Sequence, residues 1–89
     1  MADTGIAPLL AEAREVYGVF GKTERALELV NRALALEPAD IEALNLKAAI
    51  LYDMDRDEEA RSYHLLALEV EPYSVEALHG LAAIANDER

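Results

Sequence analysis

The sequence contains no cysteine and no tryptophan. Without cysteine the chain can form no disulfide bond, no thiolate nucleophile and no zinc–thiolate site. Chains that avoid disulfides suit a reducing compartment, so this absence favours the cytoplasm. Thiol redox chemistry and cysteine-based catalysis are excluded.

Basic residues are also scarce. The chain has 8 Lys and Arg against 18 Asp and Glu, which gives a formal net charge of −10. Contact with nucleic-acid phosphates requires clustered cations, and an anionic membrane surface would repel this composition. We therefore expect no nucleic-acid partner and no membrane partner. The same excess of carboxylates favours a soluble protein with basic partners.

Long apolar runs are missing. No stretch approaches the roughly 20 apolar residues that a membrane-spanning helix requires. Residues 1–5, Met-Ala-Asp-Thr-Gly, do not combine a basic segment with a following apolar run. We accordingly expect no secretory signal.

What the sequence does contain is an internal repeat, and Pro38 and Pro72 mark the same position in its two full copies. Superposing residues 7–40 on residues 41–74 aligns Leu10 with Leu44, Glu24 with Glu58, Ala26 with Ala60, and Ala33 with Ala67. A partial third copy begins at Val75. Repeats of fixed period indicate units that cannot bury their apolar face alone and must stack on a neighbour.

Apolar residues at spacings of three and four predict an all-α chain with no strands. Each proline should end a helix just before it, and Asp40 and Ser74 can cap the helices that follow. Residues 1–6 are expected to be loose and flexible. The predicted helices span residues 8–19, 22–36, 40–53, 56–70 and 74–86.

This pattern resembles the tetratricopeptide repeat, a 34-residue helix–turn–helix unit. The large position of the first helix is Leu in all three copies, at 10, 44 and 78. The small residue four positions later is Ala48 or Ala82, whereas Arg14 departs from the pattern. The resemblance implies an α-α superhelix, or solenoid, of antiparallel helix pairs with five helices in one domain, 7–89. Its repeats would be 7–40, 41–74 and a half-repeat or cap, 75–89.

The resemblance also implies a non-enzymatic module for protein–protein interaction, in which the first helix of each pair lines a concave groove. Carried over residue by residue, the groove positions hold acidic, amide and aromatic side chains but no Lys or Arg. Such a groove suits a basic or mixed apolar peptide. The predicted groove residues are Glu15, Val19, Glu42, Asn45, Ala49, Tyr52, Asp53, Glu76, His79 and Ala83.

Within this set, Asn45 could hydrogen-bond a peptide backbone and Tyr52 could offer an apolar face. The alternative is that these side chains form an ordinary charged, solvated helix surface. One subclass of the family binds the C-terminal carboxylates of heat-shock proteins through a clamp of Lys, Asn and Arg. This chain lacks that clamp, since the matching positions are Ala11, Glu15, Leu46, Glu76 and Gly80.

Two further patterns are weaker. Asp53, Asp55 and Asp57 resemble the start of a calcium loop, which also needs glycine at its sixth position and glutamate at its twelfth. In this chain those two positions hold Glu58 and His64, which do not fit a calcium loop. We therefore expect the aspartates to form a turn between helices. His64 is expected in the core. We expect no metal, no cofactor and no catalytic site, because no nucleophile–base pair or glycine-rich phosphate loop is present.

The third unit lacks its second helix. The last helix carries Leu81 and Ile84. Either it is the cap of the stack, with Leu81 partly exposed, or its free side meets another surface. The competing functions are therefore a homo-oligomerising scaffold, with a homodimer formed through this helix, and a fragment of a larger adaptor.

Overall fold

The computed structural model of the chain describes residues 5–19 and 21–87. These residues form five α-helices and no strand, which confirms the all-α prediction. The expected loose segment, 1–6, lies mostly outside the described residues. Its last member, Ile6, begins the first helix and packs against the core. The helices are α1 (Ile6–Tyr17), α2 (Thr23–Leu36), α3 (Ile41–Asp53), α4 (Asp57–Val70) and α5 (Val75–Asp87).

The prolines end helices where the sequence predicts. α2 ends at Leu36 and α4 at Val70, in each case two residues before the proline. The intervening Glu37 and Glu71 have non-helical backbone angles, with φ of −139° and −136°. The proline ring disfavours the helical conformation in the residue before it, so the chain leaves the helix at Glu37 and at Glu71.

The predicted caps are confirmed. Asp40 Oδ1 accepts a hydrogen bond from the backbone N–H of Ala43 at 2.9 Å. Ser74 Oγ accepts one from Ala77 N–H at 3.2 Å. Each bond satisfies a backbone donor that the first turn of a helix leaves unpaired.

The bounds of α1 differ from the prediction of 8–19. The helix starts two residues earlier because Pro8 is tolerated within the first turn, where its missing N–H has no helical partner to lose. It ends at Tyr17, before Gly18. The turn between α1 and α2, which also contains Gly21, is therefore longer than the predicted helix bounds leave room for.

The helices pack in the order of the chain. The most extensive contacts join α1 to α2 and α3 to α4, and further contacts join α2 to α3 and α4 to α5. α3 also touches α1 on one side and α5 on the other. Among the described residues neither α1 nor α2 packs on α5, so these helices do not form a closed bundle. The Cα envelope measures 48 × 31 × 17 Å.

Small residues lie between the paired helices, as the repeat predicts. Ala26 and Ala33 of α2, and Ala60 and Ala67 of α4, have no exposed surface. Alanine at these positions lets helix axes approach closely while larger side chains fill the neighbouring space. The largest fully buried side chains are Leu29, Val30, Ile50, Leu51 and Ile84.

Candidate functional site

A pocket of about 260 Å³ lies between α1, α3 and α5, over a residue of α4. We call it the central pocket. Six of the ten predicted groove residues line it, and all six come from α3 and α5: Glu42, Asn45, Ala49, Tyr52, Glu76 and Ala83. The first helices of the second and third units therefore line a shared concave site.

The other four predicted groove residues lie away from the central pocket. Glu15 and Val19 are exposed at the end of α1 and in the turn after it. His79 is exposed on α5. Asp53 is exposed at the end of α3, and together with burial it raises the pKa of the nearby Tyr17. The predicted set thus divides into residues of one concave site and separate surface residues.

Arg14 contributes a wall of the pocket that the sequence analysis did not predict. Its guanidinium forms an ion pair with the carboxylate of Glu42, which joins α1 to α3. The predicted groove set contained no cation, so the pocket is less acidic than predicted. Its charged lining residues are the carboxylates of Glu42 and Glu76 and the guanidinium of Arg14, which leave a net charge of −1. The departure of Arg14 from the small-residue position was the available signal in the sequence.

A chain of buried polar side chains forms the floor. In the described part of the chain the buried polar residues are Asn45, His64 and Ser74, each less than a tenth exposed. The Nδ2 of Asn45 donates to Ser74 Oγ at 3.2 Å, and its Oδ1 lies 3.0 Å from His64 Nδ1. The helix cap of α5 is therefore linked to the imidazole on α4 through α3. Buried polar groups that are paired in this way avoid the cost of unsatisfied hydrogen bonds.

This chain of bonds fixes the state of His64. Because the Asn45 amide turns its Nδ2 to Ser74, its Oδ1 faces the imidazole and accepts from Nδ1–H. Burial lowers the pKa of His64, and the nearby charge of Glu76 opposes this effect. The ring is therefore neutral at pH 7, and its Nε2 carries a lone pair.

Gly80 of α5 makes room for this ring. A Cβ placed on Gly80 would lie 1.9 Å from His64 Nε2, far inside van der Waals contact. A side chain at position 80 would have to displace the imidazole, which is packed among α3, α4 and α5. His64 and Gly80 belong to different helices, so no local sequence pattern shows that they lie against each other. The other lining residues outside the predicted groove set are His64, Leu46 and Gly80, of which the last two match clamp positions of the resembling family.

The expected role of Asn45 changes accordingly. Its side chain was predicted to hydrogen-bond a bound peptide backbone, but the residue is only 5% exposed. Its amide oxygen and nitrogen are both used within the protein, on His64 and Ser74. Asn45 therefore acts on the central pocket through the orientation of His64.

Tyr52 lies at the opposite side of the pocket and is anchored at its hydroxyl. The hydroxyl donates to Asp87 Oδ2, and this hydrogen bond, with burial and nearby carboxylates, raises the pKa of Tyr52 to about 12. The ring still lines the central pocket. A second concave region beyond it is acidic and is lined by Tyr52, Asp53, Asp55, Asp57 and Asp87.

The alternating aspartates after α3 do not form a recognisable ion site. Within residues 5–19 and 21–87, no group of three or more His, Asp or Glu side chains is arranged to hold a metal ion. Over the same residues, no helix is both long and apolar enough to cross a membrane.

Comparison with protein-family models finds no match to this chain, and no curated protein matches it.

Proposed function

We propose that this chain is a stack of tetratricopeptide-type helix pairs that binds a peptide or protein segment on the surface formed by α1, α3 and α5. The segment is basic or of mixed basic and apolar character, and the module is non-enzymatic. The observation that carries the proposal is the central pocket, in which carboxylates, an aromatic ring and a neutral imidazole converge from three helices. The absence of cysteine favours a cytoplasmic location.

The repeat position of one leucine supports the stacked architecture. Leu10 and Leu44 are 4% and 3% exposed, and each belongs to a helix with a paired second helix. Leu78, the equivalent leucine of the third copy, is 48% exposed on α5, which has no such partner among the described residues. Equivalent residues are thus buried or exposed according to whether the next helix is present, as expected of a repeat stack.

The charges around the central pocket support a basic ligand. Glu42 is already paired with Arg14, whereas no ion pair in the described part of the chain includes Glu76. Glu76 is therefore the carboxylate that a ligand cation would neutralise. The net charge of −10 adds a favourable long-range field for a basic segment.

The lining of the pocket supports a binding role without catalysis. It contains no serine, threonine, cysteine or lysine that could act as a nucleophile beside His64. The Nδ1 of His64 is bonded to the Asn45 amide, which does not stabilise an imidazolium as a carboxylate partner would.

Selection from a random peptide library displayed on phage tests this function. We expect the selected peptides to be enriched in Arg and Lys and to lose at least tenfold in affinity on the variant Glu76→Lys. The matched control is Glu69→Lys, which makes the same change of net charge on the exposed surface of α4. Equal loss in both variants would show a non-specific charge effect and contradict a groove site.

Self-association is a second candidate, and a specific observation favours it. Val75 and Leu78 are 66% and 48% exposed, and they share one face of α5 with the exposed Ala82 and Ala85. This face combines a protruding leucine with small residues, so two copies of α5 can cover each other in a symmetric dimer. Sedimentation equilibrium of the wild type and of Leu78→Lys tests it. A dimer that Leu78→Lys converts to monomer supports this candidate, and a wild-type monomer at all concentrations contradicts it.

A further inference from the structure

The Nε2 atom of His64 is an unused hydrogen-bond acceptor that opens into the central pocket. His64 is 4% exposed, and its Nδ1 is bonded to Asn45. No fully buried side-chain nitrogen or oxygen in the described residues lacks a partner. Because Nε2 has no hydrogen-bond partner among the described residues, it must retain contact with the space of the pocket that His64 lines.

We propose that the central pocket binds a single arginine side chain of the partner segment, with the guanidinium donating to His64 Nε2 and to the carboxylate of Glu76. The inference rests on the proposed peptide-binding function and names the residue that the pocket recognises.

Gly80 lets the ring occupy its place in the floor of the pocket. Since a Cβ on Gly80 would lie 1.9 Å from Nε2, any other residue would displace the ring and its acceptor. On the opposite side, Asn45 and Ser74 hold the imidazole so that Nδ1 and not Nε2 carries the hydrogen. The acceptor is thus held in one orientation, which a directional hydrogen bond from a ligand requires.

The walls suit the rest of an arginine side chain. Leu46, Ala49 and Ala83 provide apolar surface for the three methylene groups. The ring of Tyr52 provides a face on which a planar guanidinium can stack. A volume of about 260 Å³ leaves room for one side chain of this size.

The polar groups distinguish arginine from other ligands. Since Arg14 pairs with Glu42, the remaining charge of Glu76 repels an anionic side chain, and an apolar one would leave Nε2 and the Glu76 carboxylate unpaired. The two acceptors belong to different helices, α4 and α5. Guanidinium presents five N–H donors in a rigid fork and can reach both, whereas the lysine ammonium is a compact point charge on a flexible stem.

The test uses small probes that report on the pocket alone. N-acetyl-arginine amide is titrated into the ¹⁵N-labelled protein and compared with N-acetyl-citrulline amide, which is neutral and nearly the same shape, and with N-acetyl-lysine amide. We expect saturable shifts of the Gly80 and Ala83 amides and of His64 Nε2 with the arginine probe. Citrulline should bind at least tenfold more weakly, and lysine more weakly than arginine. Equal binding of citrulline, equal or tighter binding of lysine, or shifts confined to other surfaces would overturn the proposal.

A variant that fills the pocket provides the second measurement. Ala83→Leu adds volume at an exposed position on α5 and should abolish the shifts with the arginine probe. Ala35→Leu, the matched control, makes the same change at an exposed position of α2 and should leave them intact. Circular dichroism establishes that both variants remain helical. Retained binding of the probe by folded Ala83→Leu would contradict the arginine site.

The outcomes separate this inference from the proposed function. A library-selected peptide that depends on Glu76 but binds wild type and Ala83→Leu equally supports a groove and overturns the arginine pocket. Saturable binding of the arginine probe with no selected peptide supports the pocket and removes support from the broader groove.

Discussion

Gly21 and Asp55, which occupy equivalent positions in the two full repeats, both have positive φ angles, of 84° and 63°. Each lies in the turn between the two helices of a pair, between α1 and α2 or between α3 and α4. They are the positive-φ residues of the described part of the chain. The two repeats therefore share a backbone conformation at this position as well as residue types elsewhere, although one has glycine and the other aspartate.

Asp55→Gly should stabilise the protein. A residue with a Cβ is strained in the left-handed region, and glycine relieves that strain while it makes the unfolded chain more flexible. We expect a net gain in the free energy of unfolding of about 0.5 kcal/mol, measured by urea denaturation. The converse variant Gly21→Ala should lose about 1 kcal/mol. A loss of stability in Asp55→Gly would contradict this account of the turn.

Gly80→Ala should destabilise the protein despite the better helix propensity of alanine. Alanine in a helix gains about 1 kcal/mol over glycine, but here the added Cβ would meet His64 Nε2, and overpacking costs about 1–3 kcal/mol. In a His64→Ala background the obstacle is gone, and the same Gly80→Ala change should be stabilising. A double-mutant cycle by chemical denaturation measures this coupling. Additive effects would show that the two residues do not press on each other.

Ser74→Ala should cost more than Asp40→Ala, although both remove the N-terminal cap of a helix. Loss of either cap costs about 1 kcal/mol. Ser74 Oγ additionally accepts from Asn45 Nδ2, and its removal leaves that buried donor unpaired at a further cost of about 1–3 kcal/mol. Thermal or urea denaturation of the two variants compares them directly. Equal costs would mean that the bond to Asn45 contributes nothing.

Stability should fall as the pH is lowered through the ordinary pKa of His64. Because burial lowers the pKa of His64 below 6.5 in the folded protein, the unfolded chain binds more protons in this range. The free energy of unfolding therefore rises with pH between the folded and unfolded pKa values and falls as acid is added. Denaturation from about pH 7.5 to about pH 5.5 should show a steeper loss in the wild type than in His64→Gln. Parallel profiles would contradict a buried neutral imidazole.

The helices were predictable because their signals are local. The spacing of apolar residues, the prolines after α2 and α4, and the caps at Asp40 and Ser74 act within a few residues of the chain. Where such signals were ambiguous the prediction failed, as at Ile6, which proved to be helical because Pro8 fits within the first turn. Six predicted groove residues on α3 and α5 also line one pocket, since helix periodicity determines which side chains share a face.

The contents of the central pocket were less predictable. Arg14 of α1 reaches Glu42 of α3, and His64 of α4 lies in the floor of the pocket. The sequence showed Arg14 only as a departure from the repeat pattern. It predicted His64 in the core, which is confirmed, but not its place in the pocket. Whether a residue that departs from the repeat pattern produces a cavity, a clash or an ion pair depends on the distances between helices. Those distances cannot be read from the sequence of any single helix.

The sequence by itself determined that this chain forms helices that pair, with small residues between them, because hydrogen bonding and side-chain periodicity within a helix are local. Only the tertiary structure decided that Asn45 turns inward, that it hydrogen-bonds to His64 through Nδ1, and that Gly80 leaves space for the imidazole ring. The physical reason is that these states depend on atoms from three helices meeting within hydrogen-bond or van der Waals distance. Such contacts are set by how the helices pack.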